Sequence, residues 1–295
     1  MPLDILVPFW GDPGFFKQTV RSVLTQDNGD WLLTVVDDAY PDRSIGDYLA
    51  GLNDPRITYL RKEHNEGITA NFRTCVSLAT QEMLVILGCD DILLPNYVDT
   101  VLNARKAFPE ADIIQPGVQI IDDDGRTVTT LTDSVKQRVI KPRGTAPRVL
   151  KGESLARSLM HGDWLYWPSL AFRTDKIREV DFDDRFAVIQ DLALVLDMIT
   201  LGATVLVEPT VCFSYRRHMA SASAEKLVDG SRFDGEREFY GRASRQLRTA
   251  DWKRAARAAQ LRLTSRAHAL TLVPRVALSR DGRTLRKLLR HAFGV

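Results

Sequence analysis

The sequence of 295 residues has few cysteines and no long apolar run. Cys75, Cys89 and Cys212 are odd in number and far apart, without a paired metal-ligand spacing, which favours a reducing compartment. Apolar stretches such as residues 83–87 are much shorter than the roughly 20 residues that span a bilayer. The N-terminus lacks the basic region and cleavage site of a signal peptide. We therefore expect a cytoplasmic protein whose membrane contact, if any, is peripheral.

Acidic residues are scarce at the C-terminal end of the chain. Residues 236–295 contain 15 Lys or Arg against 4 Asp or Glu, whereas residues 1–235 contain 25 against 34. The formal net charge of +2 therefore conceals an acidic body and a basic tail, and such asymmetry suggests an anionic partner surface. With 44% hydrophobic residues and no low-complexity tract, the composition excludes a disordered or collagen-like chain.

Short apolar runs alternate with helical patterns over the first part of the chain. This alternation predicts an α/β fold with a Rossmann-like, mostly parallel central sheet flanked by helices. The predicted strands are residues 3–9, 30–38, 57–60 and 83–88, and the predicted helices are residues 15–24, 68–78 and 96–108. Ligands bind beyond the carboxyl ends of the strands in such sheets, where Trp10, Asp38, Asp90 and Asp91 fall.

The middle of the chain carries an acidic triplet, Asp122-Asp123-Asp124. Because further calcium ligands and a distant Glu are missing, the triplet predicts the turn of a hairpin between residues 113–121 and 126–130. Residues 132–149 have the composition of a mobile loop. Residues 154–161 and 191–201 have helical periodicity, and residues 204–207 and 211–215 are strand-like.

Six segments lie in a specific order along the chain. They are Val7-Pro8-Phe9-Trp10, Val35-Val36-Asp37-Asp38, Asn65-Glu66-Gly67 with Asn71, Gly88-Cys89-Asp90-Asp91, Gln190-Asp191 and residues 215–223. In order and spacing they resemble the family 2 inverting glycosyltransferases, which have the GT-A nucleotide-sugar-binding fold. The resemblance covers residues 3–223 and implies a catalytic domain over 1–223, followed by a basic α-helical region over 224–295.

The first two segments carry the predicted nucleobase site. The Trp10 ring offers a face on which a base can stack, and Asp38 can accept a hydrogen bond from the imide N–H of uracil or thymine. Pro8 is placed with them, and the resemblance assigns the nucleobase carboxylate to Asp38. The family commonly has Tyr at the stacking position. The alternative is that Trp10 fills the core and Asp38 caps a helix.

The segment around Asn65 and Gly67, with Asn71 and Arg73, lies on a loop and the first turn of a helix. Its backbone N–H groups, or the Arg73 guanidinium, could contact the donor phosphates. Loop closure and helix packing are an equally good explanation of these residues.

The resemblance places a divalent metal, Mg²⁺ or Mn²⁺, at Asp91 and Asp90. Carboxylate oxygens suit such a hard cation, which stabilises negative charge on a leaving diphosphate. The family's usual Asp-x-Asp-Asp pattern is incomplete because Gly88 stands where its first acid would be. His218, in the downstream segment, is a further candidate for the metal or the diphosphate, with a structural role as the alternative.

Asp191 is the predicted catalytic base because it aligns with the family's Glu-Asp pair, whose Glu is Gln190 here. An ionised carboxylate within hydrogen-bond reach of the acceptor hydroxyl is sufficient for this role. An N-cap role for Asp191 is compatible with it. Trp164, Tyr166 and Trp167 are predicted to form an acceptor-sugar platform, with core packing as the alternative.

We expect an inverting, metal-assisted transfer from a UDP- or dTDP-sugar to a hydroxyl of a glycan or lipid-linked acceptor. A sugar-phosphate nucleotidylyltransferase is a weaker hypothesis, since residues 10–14 contain no Lys or Arg for a basic phosphate loop. A further alternative is a non-catalytic nucleotide-sugar or glycan-binding subunit, which would explain why Gly88 and Gln190 stand where the family has acids.

The basic tail either packs on its domain or binds an anionic membrane. Nucleic-acid binding is not expected, because no nucleic-acid motif accompanies the charge.

Overall fold

We describe the fold from a computed structural model, which covers residues 1–295 apart from 131–132, 135, 137–139, 143, 187–188, 218–230, 279–280 and 294–295. The strands are β1 (Leu3–Phe9), β2 (Trp31–Asp37), β3 (Ile57–Arg61), β4 (Met83–Ile86), β5 (Ile92–Leu93), β6 (Ile113–Ile121), β7 (Arg148–Leu150), β8 (Ala171–Arg173) and β9 (Val205–Arg216). The longer helices are α1 (Pro13–Leu24), α2 (Ser44–Gly51), α3 (Ile68–Leu78), α4 (Tyr97–Ala107), α5 (Gly152–His161), α6 (Thr174–Ile177), α7 (Gln190–Thr200), α8 (Ser231–Thr249), α9 (Lys253–Leu261), α10 (Leu263–Leu278) and α11 (Gly282–Phe293).

The described strands form one sheet in the order β3-β2-β1-β4-β8-β6-β9-β5, with β7 paired to β9. The half containing β3, β2, β1 and β4 is parallel. In the other half β6 and β9 run parallel, while β8, β5 and β7 pair antiparallel with their neighbours. The α/β class is confirmed, and the antiparallel strands make the sheet more mixed than the sequence predicts. Short strands such as β8 and β5 carry too few residues to show a periodicity.

Three sequence predictions for residues 126–215 need correction. The strand-like residues 204–207 and 211–215 belong to the single strand β9, which continues past an irregularity in its pairing with β6. Residues 126–130 make only an isolated bridge, between Ile121 and Thr127, after the predicted acidic turn. The 132–149 segment, which has the composition of a loop, ends in β7.

The hydrophobic core lies on both faces of the sheet. One cluster packs α1, α2 and α4 against the face formed by Leu3, Ile5 and Val7 of β1. The other cluster packs α3, α5 and α7 on the opposite face and also contains Phe239 and Leu247 of α8. Several alanines of α9 join this second cluster. The first two helices of the basic region are thus part of the main core.

The last two helices form a smaller cluster. Phe233 of α8, Ala269 of α10, and Leu288 and Ala292 of α11 bury one another. His291 is buried beside them, with its Nε2 atom 2.7 Å from Ser265 Oγ. Burial lowers the pKa of His291 to about 4, so the ring is neutral at pH 7. In the part of the chain that the structure describes, no helix is both long and apolar enough to cross a membrane.

Leu247→Ala tests whether α8 supports the whole fold. Leu247 is fully buried in the main core, so we expect the free energy of unfolding to fall by about 2–5 kcal/mol. Leu261→Ala is the matched control, because Leu261 is 40% exposed and its truncation creates no cavity. Urea unfolding of both variants measures the difference. Equal values would show that α8 is not coupled to the core.

Candidate active site

The candidate site lies at the carboxyl ends of the neighbouring parallel strands β1, β2 and β4. The pairing sets Phe9 of β1 beside Asp37 of β2, and Asp38 N donates to Phe9 O at 3.2 Å. On the other side Leu87 N donates to Leu6 O at 2.8 Å, just before the Gly88–Asp91 loop. The sheet therefore brings together three segments that are far apart in sequence.

Trp10 follows β1 and is 48% exposed. Its ring meets the Tyr40 ring edge-on, with 5.4 Å between centroids. The next residue, Gly11, lies against the β4 loop, since a Cβ atom there would be 2.9 Å from Cys89 Sγ. Pro8 is half-buried within β1. Trp10 does not fill the core, and its exposed ring is available to a planar ligand.

Asp38 is 2% exposed and already holds the loop that precedes α3. Oδ1 accepts from Glu66 N at 3.1 Å and lies 3.1 Å from Lys62 Nζ, while Oδ2 accepts from Gly67 N at 2.8 Å. A carboxylate offers about four lone-pair positions, so about one remains for a nucleobase N–H. The neighbouring Asp37 is structural, because Arg61, Tyr59 and Tyr40 N all donate to it.

The 65–67 loop turns at Gly67, whose φ of 87° favours glycine. Asn65 Oδ1 accepts from Gly67 N at 2.9 Å and helps to close the loop. Asn71 is buried, and its Nδ2 donates to Val36 O at 3.0 Å, which fixes α3 on β2. These contacts give Asn65 and Asn71 a role in loop closure and helix packing, while Asn71 Oδ1 has no hydrogen-bond partner among the described residues.

The phosphate contact predicted for Arg73 is replaced by ion pairs. Its guanidinium donates to Asp181 at 2.7 Å, to Asp184 at 2.9 Å and to Phe182 O. The hydrogen bonds that Arg73 donates to Asp184, and then those to Asp181, raise the pKa of Arg73. With its donors directed at the 181–184 turn, Arg73 joins α3 to the segment before α7.

Asp90 and Asp91 form the acidic centre of the site. Asp91 is 1% exposed, and burial followed by repulsion from Asp90 raises the pKa of Asp91 well above its usual value. A Cβ atom on Gly88 would lie 2.4 Å from Asp91 Oδ2 and 3.1 Å from Asp90 Oδ1. Oxygens of both carboxylates thus face the same small space, which only a glycine at position 88 leaves open.

This arrangement suits a divalent cation. Two crowded carboxylates, one of them buried, are stabilised by a positive charge, and their oxygens are the ligands that Mg²⁺ and Mn²⁺ prefer. Within the described ranges no group of three His, Cys, Asp or Glu residues forms a complete protein site. His218, the third predicted ligand, lies outside the described residues.

Arg216, at the end of β9, holds the acidic loop in place. Its backbone N–H donates to Asp91 Oδ1 at 2.8 Å, and its Nε donates to Asp90 O at 2.7 Å. Nη1 donates to Asp122 O and Asp123 O, each at 3.0 Å, and Nη2 donates to Gln18 Oε1 at 2.8 Å. The acidic turn therefore serves as an anchor for a buried guanidinium. The sequence signals this role only as one Arg in the 215–223 segment.

Asp191 lies in the first turn of α7 and is half-buried. Its Oδ1 accepts from Leu192 N at 2.7 Å, and Gln190 Oε1 accepts from Thr69 Oγ1 at 2.8 Å. Burial raises the pKa of Tyr215, and the charges of Asp91, Asp90 and Asp191 raise it further. The Gln190 hydrogen bond ties the start of α7, and with it Asp191, to the first turn of α3, whose entry loop Asp38 holds.

The three predicted acceptor aromatics are buried. Trp164 is fully buried and donates to Ser158 Oγ at 3.1 Å, and Trp167 packs among the rings of Phe72, Phe172 and Phe182. Tyr166 is 4% exposed. This burial favours the core-packing alternative for the three rings over the acceptor platform.

An ion-pair network that the sequence does not signal joins the buried Asp133 to Arg217 at the end of β9. Asp133 accepts from Arg217 Nε at 2.6 Å and Nη2 at 2.7 Å, and from the Tyr166 hydroxyl at 2.9 Å. Burial opposes the charge of Asp133, but the Arg217 hydrogen bonds keep the pKa of Asp133 below its usual value. Lys136 Nζ donates to Leu165 O and lies 4.0 Å from the Tyr166 ring centroid. This network ties part of the predicted loop to the end of β9.

Comparison with known proteins gives a consistent picture. Residues 4–165 match the model of the family described as Glycosyl transferase family 2. WcaA of Escherichia coli (strain K12), named for colanic acid biosynthesis, is 32% identical over 105 residues, or 35% of this chain and 38% of that protein. The succinoglycan biosynthesis protein ExoO of Rhizobium meliloti is 22% identical over 211 residues, or 72% and 59%. The matches span less than two thirds of either relative.

Solved structures share the fold. TarS 1-349 of S. aureus in complex with UDP-GlcNAc has a TM-score of 0.72 at 13% identity, covering 99% of this chain and 82% of that one. The mannosyltransferase PcManGT from Pyrobaculum calidifontis, in complex with GDP-Man and Mn2+, has a TM-score of 0.56 at 17% identity, covering 98% and 85%. These similarities confirm the GT-A type of fold and extend over the C-terminal helices.

Gly88→Ala tests the shared space between the two carboxylates. The added methyl group would collide with Asp91 Oδ2, and Arg216 N restrains the other oxygen. We expect Mn²⁺ affinity, measured by calorimetry with UDP present, to fall by about 10- to 100-fold. Gly235→Ala is the control, because a Cβ atom there meets nothing within 4 Å. Unchanged Mn²⁺ affinity in Gly88→Ala would place the metal elsewhere.

Proposed function

The chain belongs to glycosyl transferase family 2, and from this premise we propose that it transfers a sugar, with inversion, from a UDP- or dTDP-sugar to an acceptor hydroxyl. Membership makes it a glycosyltransferase. The observation that carries the finer proposal is that Asp38 and the Asp90–Asp91 pair follow the strands on either side of β1, while Gln190, next to Asp191, bonds Thr69 of the helix whose entry loop Asp38 holds. A transferase needs a donor grip, charge compensation and a base at one place, and this edge of the sheet supplies candidates for all three.

In the proposed reaction Asp191 accepts the proton of the acceptor hydroxyl. The acceptor oxygen then forms a bond to the anomeric carbon from the face opposite the leaving group. The bond between that carbon and the diphosphate oxygen breaks, and its electron pair leaves with the nucleoside diphosphate. Proximity and alignment of the two substrates supply a large part of the rate enhancement.

Asp91 and Asp90 are the residues that would hold a divalent cation, which neutralises charge on the leaving diphosphate when bound. Arg216 positions both residues through Asp91 Oδ1 and Asp90 O. Gln190 cannot replace the missing second acid, because it is an amide committed to Thr69. Asp191 is therefore the single candidate base that we assign within the described residues.

The proposed base preference rests on Trp10 and Asp38. An exposed indole stacks on any base, whereas the remaining acceptor position of Asp38 selects a base with an N–H at its edge. The names of the relatives WcaA and ExoO refer to colanic acid and succinoglycan, so we propose a glycan or lipid-linked acceptor in polysaccharide biosynthesis.

Two substitutions separate the proposed roles of base and metal ligand. Asp191→Asn should retain donor and Mn²⁺ binding but lower turnover by about 10²- to 10⁴-fold, because the amide cannot take the hydroxyl proton. Asp91→Asn should instead weaken Mn²⁺-dependent donor binding. Release of nucleoside diphosphate measures turnover, and calorimetry measures binding.

Asp47→Asn is the control, since Asp47 is an exposed residue of α2 to which we assign no role in the site. Wild-type turnover in Asp191→Asn would contradict the base assignment. A wild-type chain that binds donor but neither transfers nor hydrolyses it, whatever acceptor is supplied, would favour the non-catalytic binding subunit.

A nucleotide screen tests the proposed donor class. With Mn²⁺ present, UDP or dTDP should raise the melting temperature by about 5 °C when the free nucleotide is roughly 100 times its Kd. ADP, which has no imide N–H, should give a smaller shift. Trp10→Ala should reduce the UDP shift through lost stacking. A larger shift with ADP than with UDP or dTDP would contradict the role of Asp38.

A further inference from the structure

Helix α10 exposes an apolar stripe. Leu263, Ala267, Leu270, Pro274 and Ala277 follow each other at intervals of four and three residues, and all are exposed. Leu263 is 55% exposed and Leu270 is 42% exposed. The opposite side of α10 is already used, because Ala269 and its neighbours pack in the small C-terminal cluster. The helix therefore presents a second apolar side that the described residues do not cover.

Helix α11 exposes apolar and basic side chains together. Its apolar residues divide into two sets, because Leu288 and Ala292 pack inward while Leu289 and Phe293 remain 39% and 63% exposed. Arg283, Arg286 and Arg290 are exposed alongside them. None of these three arginines forms an ion pair with the residues that the structure describes. Large apolar side chains flanked by arginines are typical of helices that lie at a membrane interface.

Three arginines, Arg237, Arg262 and Arg266, form a cluster near the N-terminal end of α10. Arg237 Nη1, Arg262 Nε and Arg266 Nε are buried and have no hydrogen-bond partner among the described residues. Burial, then repulsion from Arg266 and Arg237, lowers the pKa of Arg262, so the three groups crowd one another. Ser265 donates to the nearby carboxylate of Glu236, and Arg237 donates to Asp234 through Nη2, which leaves Nη1 of Arg237 without a partner among the described residues. Crowded guanidinium groups with unused donors match the requirements of a phosphate ligand.

We propose that α10 and α11 dock on an anionic phospholipid membrane, with the apolar side chains entering the interface and the Arg237–Arg262–Arg266 cluster binding a headgroup phosphate. Residues 262–293 supply 8 Lys or Arg and a single acid, Asp281, so the surface is complementary to an anionic bilayer. Arg262 directly precedes Leu263, and Arg266 directly precedes Ala267. Cationic groups therefore lie next to apolar surface, which matches the charged headgroup and apolar chains of a phospholipid. Docking would hold the strand-end site near a lipid-linked acceptor.

The combination of cationic and apolar side chains on α10 and α11 argues against a second copy of the chain and against a nucleic acid as the partner. A second copy of the chain would bring two strongly cationic surfaces together, and like charges repel. A nucleic acid would satisfy the arginines but would leave Leu263, Leu270 and Phe293 in water, because its backbone offers no apolar partner. A phospholipid satisfies both kinds of group at once.

Vesicle flotation of the full chain tests the proposal. We expect binding to phosphatidylcholine vesicles that contain phosphatidylglycerol, and little binding to pure phosphatidylcholine. The double variant Arg262→Gln, Arg266→Gln should bind about 30-fold more weakly, roughly fivefold for each cation near an anionic surface. Leu270→Glu should weaken binding by a similar factor. Because the double variant relieves repulsion, its melting temperature should not fall.

The chain supplies matched controls. Arg254→Gln, Arg257→Gln removes two exposed cations from α9, and Leu201→Glu alters an exposed leucine after α7, so both should bind vesicles like wild type. Asp91→Asn should also bind like wild type, since the inference does not depend on the proposed transfer. Equal binding to both vesicle types, no binding to either, or equal losses in the α9 control would overturn the proposal. Displacement from vesicles by DNA, or dimer formation through this surface, would also overturn it.

Discussion

The buried guanidinium of Arg216 is the interaction on which the candidate site depends. It joins the end of β9 to the Asp90–Asp91 loop, to the acidic turn after β6 and to Gln18 of α1. A buried cation is tolerated only when its donors are satisfied, and here four hydrogen bonds and the nearby Phe15 ring, 4.5 Å away, provide that environment. Its backbone N–H also sets the position of Asp91. One side chain thus joins the second half of the sheet to the acidic centre in the first.

Around this anchor, several carboxylates that the sequence marks as functional divide into two groups. Asp37 is consumed by protein donors, and Asp38 holds the 65–67 loop while keeping about one acceptor position, whereas Asp90 and Asp91 face a common space. The structural group gives the functional group its rigidity. A site that must separate charge benefits from such preorganised surroundings, because little rearrangement is then needed during the reaction.

The basic region serves two physical roles along its length. Helices α8 and α9 bury Phe239, Leu247 and several alanines in the main core, so they share one hydrophobic core with the predicted catalytic domain. Helices α10 and α11 bury only a small cluster and leave apolar and cationic side chains exposed. Packing therefore continues across the domain boundary predicted near residue 223, as far as Ala259 of α9.

The α/β class, the strand-end position of Trp10, Asp38 and Asp90–Asp91, and the start of α7 at Asp191 follow from local patterns, because buried strands and their terminal carboxylates are visible in the sequence. Tertiary structure alone decided the burial of Trp164 and Trp167, the pairing of Arg73 with the 181–184 turn, and the Asp133–Arg217 network. Each of these depends on which partner, far away in sequence, meets the side chain. Aromatic and charged residues serve a core or a ligand equally well, and only the neighbours that the fold provides determine which.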